Sequence, residues 1–249
     1  MTKKFWTELW FFLLFIMGGI VVMALLAIPL SMFVGNPGQG GIPADGPAYF
    51  HIVQWLQTIF VMFLPALCWC RWRMKEPLSV ALAMNNKATW KPYALVVVLS
   101  LAALPFFDWL SDVCQNLPLP EAIRAYAENE YKMQEALVGK MLSIDGFGGW
   151  LEMILLMSVA TAIAEELTFR GALLTIFLRY TKYNKHVVAI LVGLIFALIH
   201  MEIFGIIPRW ILGTAFVYLV YYTGSIWPSV LAHALNNLYA LLEYKEIIG

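Results

Sequence analysis

The segment Ala162-Ile-Ala-Glu165-Glu166-Leu-Thr-Phe-Arg170-Gly171 sets two acids and an arginine into the middle of apolar sequence. An ionisable side chain at bilayer depth costs about 2.5–3.5 kcal/mol on insertion scales, so it marks a functional site by default. Glu166 and Arg170 stand four residues apart, on one helical face and in the Glu-before-Arg order that pairs well. Glu165 is turned away by about 100°, an acid without a partner nearby in sequence. Later apolar stretches are interrupted by His200, by His233 and by Asn237. A carboxylate beside an imidazole can take a proton from water, and burial raises the carboxylate's affinity for that proton. A second histidine and an asparagine amide can donate hydrogen bonds to a developing oxyanion. Together these groups have the chemistry of peptide-bond hydrolysis by an activated water. Glu165, His200 and His233 also compose a zinc set with the fourth position left for water. Spacing alone leaves zinc and metal-free chemistry both open. Neither a GxSxG elbow nor an HExxH helix occurs near these residues.

The elements that position these groups follow from composition. The chain is 61% hydrophobic and 13% charged, against roughly 25% charged in soluble domains. Leu9–Val34 and Phe50–Cys70 are uncharged runs of 26 and 21 residues, and a spanning helix needs about 20. The expected fold is an all-α, polytopic membrane bundle of about seven transmembrane helices plus one amphipathic interfacial helix. Spans are expected near 9–34, 50–70, 92–114, 149–178, 186–204, 206–222 and 225–242. Residues 119–143 alternate charge with Ile123, Tyr126, Met133, Leu137 and Met141 at helical spacing, which reads as a helix lying on the membrane surface. Residues 1–148 then form an N-terminal helical part and 149–249 a catalytic core, within one integral-membrane unit. Cys68, Cys70 and Cys114 have the wrong spacing for a disulfide framework or a CxxC site. A net charge of zero with no basic stripe gives no footprint for nucleic acid.

Lys and Arg concentrate at the N-terminus and in loops 71–91 and 179–185, whereas the Gly- and Pro-rich loop 35–49 has none. The positive-inside rule therefore puts the N-terminus in the cytoplasm, in a membrane of bacterial plasma-membrane type. Helix arithmetic brings the polar groups together. Glu165 and His200 lie 17 and 18 residues either side of Lys182, so an antiparallel pair places both about 21 Å deep. Asn237, thirteen residues beyond Gly224, falls at about 20 Å on the same rule. Glu202 and Arg209 are expected at the interface, and His51 at a span end.

Three motifs then stand in order: Glu165-Glu166-Leu-Thr-Phe-Arg170 as EExxxR, Phe196–His200 as FxxxH and His233–Asn237 as HxxxN, the last introduced by Ser225-Ile-Trp-Pro228. Over about residues 149–243 this pattern resembles the CPBP family of intramembrane proteases (CAAX proteases and bacteriocin-processing enzymes, also called Abi), and among them type II CAAX prenyl endopeptidases. The resemblance implies Glu165 as general base assisted by His200, His233 and Asn237 as oxyanion donors, and Glu166 with Arg170 as structural support. It implies a peptide or protein substrate, lipidated or not, cleaved in or near the bilayer for peptide maturation or bacteriocin immunity. The competing reading is a non-catalytic membrane partner using the same fold, with the polar cluster as packing glue. A proton-coupled carrier would require inverted repeats, and the sequence has none.

Overall fold

The computed structural model describes residues 2–33, 46–74, 77–81, 89–143 and 146–245. The glycine- and proline-rich turn at 36–43 and Lys75 and Lys87 of the basic loop lie outside them. Among the described residues the protein is all helical. Its long helices are α1 (Lys3–Phe33), α2 (Pro47–Arg73), α3 (Trp90–Gln115), α4 (Glu121–Met141), α5 (Gly146–Tyr180), α6 (Lys185–Leu198), α7 (Ile206–Thr223) and α8 (Trp227–Tyr244). Four of them, α1, α2, α3 and α5, are long and apolar enough to cross a membrane, and α6 is a shorter apolar helix. The fold is a membrane helical bundle. Its outer faces are apolar, as a lipid solvent requires: Leu14, Met17 and Val21 of α1 and Val98 and Leu101 of α3 are all exposed.

Local sequence sets the helix ends. Asn184 caps α6 by accepting from the His186 amide, which satisfies one of the donors a helix start leaves free. Gly224 ends α7 with φ of 66°, a left-handed conformation that glycine adopts without steric cost. Pro228 opens α8, where its missing N–H costs nothing.

The main core gathers Phe5 and Phe12 of α1, Trp69 of α2, Phe169 and Ile176 of α5, Val188 and Val192 of α6 and Val217 of α7. Helices α6 and α7 approach closely at two glycines. A Cβ on Gly193 would lie 2.6 Å from the Thr214 backbone nitrogen, and one on Gly213 would lie 3.1 Å from Gly193. Small residues at a crossing let membrane helices pack backbone to backbone. Charged groups are matched between helices too. Arg73 forms a two-pronged ion pair with the buried Glu8, joining α2 to α1.

Helix α4 is the amphipathic element, and it is tied to the bundle rather than loose. Its C-terminal carbonyl at Met141 accepts from His51 Nε2 at 2.9 Å, and Tyr244 Oη donates to the Glu135 carbonyl at 3.0 Å. His51, at the span end, is thereby buried at 2% exposure. The fifth predicted span is also shorter than expected. It stops at Leu198, and residues 199–205 turn, with Met201 in the left-handed region at φ 55°.

Candidate active site

Helix α5 carries the two acids in a six-residue α-helical stretch, Thr161–Glu166, flanked by π-helical turns at Ile154–Ala160 and Leu167–Leu173. Such widened turns inside helices recur at functional sites. No proline or glycine accompanies the first of them, so the sequence carried no signal for it. The second faces a matching π turn in α2, where Thr168 Oγ1 donates to the Met62 carbonyl at 2.8 Å.

Glu166 is completely buried and completely satisfied. Its Oε1 accepts from Arg170 at 2.8 Å and faces His233 Nδ1 at 2.9 Å. Its Oε2 lies 2.8 Å from Ser229 Oγ, a hydroxyl that is also 2.8 Å from the Ile226 carbonyl. The other end of Arg170 donates to the Gly213 carbonyl at 2.9 Å. Its guanidinium stands 4.6 and 5.2 Å from the rings of Phe196 and Phe216, whose faces attract a desolvated cation. One pair thus ties α5, α7 and α8 together.

Glu165 has a different environment. Its Oε2 is buried with no hydrogen-bond partner, 3.7 Å from His233 Nε2. That separation is too long for a hydrogen bond. Because a carboxylate can only accept, Glu166 takes the Nδ1 proton of His233 and leaves Nε2 of the neutral ring with a lone pair. Phe216 stacks on the His233 ring at 5.2 Å, and Phe196 meets it edge-on at 5.6 Å.

His200 follows the end of α6 in the turn, partly buried, with Nδ1 donating to the Phe196 carbonyl at 2.7 Å. Its ring packs against Phe196 at 5.0 Å, and it lies within electrostatic range of Glu165, Arg209 and His233. Asn237, one turn beyond His233 on α8, donates to the Met157 carbonyl of α5 at 3.3 Å. The predicted residues therefore surround one region, with Glu165 facing His233 directly and His200 across Phe196. Among the described residues no three His, Cys, Asp or Glu side chains group closely enough to hold a metal ion.

Sequence reasoning passed over three participants. Ser229 lies four residues before His233, on the same helical face, and that spacing was its signal. Phe216 and the Gly213 carbonyl had none, because their roles follow from the α6–α7 approach. Glu202 and Arg209, expected as interfacial residues, pair with each other and line a cavity beside the site.

With this geometry in hand, residues 147–239 match the family model of type II CAAX prenyl endopeptidases, Rce1-like. The matched stretch contains Glu165, Glu166, Arg170, His200, His233 and Asn237, and leaves α1–α4 outside. The chain is also similar to the uncharacterized protein YyaK of Bacillus subtilis, 26% identical over 204 residues and 76% of this chain. It spans 60% of that relative's length. No solved structure matches.

Proposed function

We propose that this integral membrane protein is an endopeptidase that hydrolyses a peptide bond in or near the bilayer with a water activated by Glu165. One observation carries the reading: the buried, unpartnered Oε2 of Glu165, 3.7 Å from Nε2 of His233. Orphaned buried polar atoms are rare in folded proteins and need a reason. A reacting water contacting both atoms supplies one.

The chemistry follows from the partners. The water oxygen attacks the peptide carbonyl carbon while its proton passes to Glu165. His200, with Nδ1–H held on the Phe196 carbonyl, presents a free Nε2 to share that proton. Asn237 directs one amide N–H at Met157 and has a second to give the oxyanion. His233, its ring oriented by Glu166 through Nδ1, lines the same space with Nε2 turned toward Glu165. Collapse breaks the C–N bond, and the proton on Glu165 goes to the leaving amine. A free carboxyl and a free amine result. The mechanism runs on the chain's own residues.

The Rce1-like match supports a peptide or protein substrate reached from the membrane, and peptide maturation or bacteriocin immunity is the setting we propose for it. The distribution of Lys and Arg supports a cytoplasmic N-terminus. The test is cleavage of mixed prenylated and unprenylated peptides by purified protein in detergent, with metal content measured on the same sample and activity followed after chelation. Cleavage that survives chelation and is lost in His200→Ala is the expected result. Absence of cleavage on every peptide, with wild-type function in cells retained by His200→Ala, would overturn the reading.

A further inference from the structure

Two joined compartments lie beside the site. The larger, about 910 Å³, opens at the end of the bundle where α3 and α6 finish and α7 begins. Asp108, Asp112, Glu202 and Glu243 face it, and among the described residues of its wall Arg209 is the one cation. Arg209 is already paired with Glu202, so among those described wall residues Asp108, Asp112 and Glu243 have no cationic partner. Asp108 accepts from a neutral donor, Tyr239 Oη, at 2.8 Å. Glu243 stands within electrostatic range of both aspartates. Tyr131 of the surface helix α4 reports the same field. Burial and then the carboxylates of Glu135, Glu202 and Glu243 push its phenol pKa up.

The smaller compartment, about 360 Å³, is almost wholly apolar and shares Leu104, Phe107, Leu212, Asn236 and Tyr239 with the larger. Its wall includes Ala232 and Phe216, and Phe216 is the ring stacked on His233. The acid-walled compartment is linked to the site by Arg209, which lines it and lies within electrostatic range of His200. A ligand filling both would thus place an apolar part against Phe216 and a cationic part among Asp108, Asp112 and Glu243.

We propose that this bipartite cavity is the substrate-binding cleft and that it selects a peptide segment in which a basic residue neighbours an apolar one at the scissile region. Charge complementarity argues for the basic residue. A carboxylate cluster with low-dielectric walls concentrates cations and repels acidic sequences. The continuous apolar compartment argues for a peptide rather than a free cation, since a cation alone leaves it empty. The inference rests on the peptidase reading and names its substrate class.

The experiment compares three peptides that differ at one residue beside an apolar pair, Lys, Gln or Glu, with wild type and with Asp112→Asn/Glu243→Gln. Both kcat/KM and binding by fluorescence anisotropy are read. Wild type is expected to prefer Lys over Gln by about five- to tenfold, the size of a partly desolvated ion pair, and to discriminate further against Glu. The double variant should lose that preference, and its thermal unfolding in the same detergent, at the wild-type temperature, reports that it is folded. Charge-selective binding without cleavage would sink the peptidase and leave the cleft standing. Cleavage with no charge preference in wild type, or a preference that survives the double variant, would overturn the cleft assignment and leave the peptidase intact.

Discussion

Two acidic regions sit side by side in this bundle and are treated in opposite ways. Around Glu166 every carboxylate oxygen has a partner, and nothing reaches solvent. Around Asp108, Asp112 and Glu243 the carboxylates outnumber the cations and face open space. The first arrangement neutralises its charge internally, so it serves architecture. The second keeps its charge for something that comes and goes. Glu165 stands between the two, part-exposed itself but with an Oε2 that is buried and has no hydrogen-bond partner. On the proposed mechanism, adjacent residues of one helix divide into a structural acid and a chemical one.

The division can be broken from the structural side. Arg170→Met leaves Glu166 as a buried charge short of its ion-pair partner, and losing one member of a buried pair costs about 3–5 kcal/mol. Thermal unfolding in detergent should fall accordingly, and Glu166→Gln/Arg170→Met should recover part of the loss. Next comes Gly193→Ala. Its Cβ would meet the Thr214 backbone, and overpacking of this kind costs about 1–3 kcal/mol. The same melt checks it, and activity should fall with it because Gly213 holds Arg170. Ser229→Ala removes one donor from Glu166 and should cost about 1–2 kcal/mol, measured again by unfolding. At the open region, Tyr239→Phe deletes only the hydroxyl on Asp108. A cost under about 1 kcal/mol is expected for a bond beside solvent. A large loss there would erase the contrast between the two regions.

Much of this was legible in the chain. The uncharged runs dictated spanning helices, because backbone polar groups in lipid must be satisfied within a helix. The four-residue spacing of Glu166 and Arg170 announced their pair, and equal distance from Lys182 anticipated that Glu165 and His200 lie within electrostatic range of each other. Where the sequence fell short, the cause was tertiary. His200 lies beyond its helix because the chain turns at Met201, and no proline or glycine pair marks that point. The π turns in α5 arise where it packs on α2 and α8, and periodicity cannot register them. The burial of His51 depends on α4 folding back over α2, ninety residues away in sequence. The acid-walled cavity draws residues from α3, α7 and α8 that are unremarkable singly, since only the topology turns them toward one space.

The most direct measurement compares Glu165→Gln with Glu166→Gln in one detergent preparation, reading peptide cleavage and thermal unfolding together. Glu165→Gln should unfold like the wild type and lose about 10²–10⁴-fold in kcat, the range for a positioned general base. Glu166→Gln should unfold at distinctly lower temperature, because Arg170 is left buried and uncompensated. Wild-type cleavage by Glu165→Gln would contradict the account, since the acid held apart for the water would then have no part in the reaction.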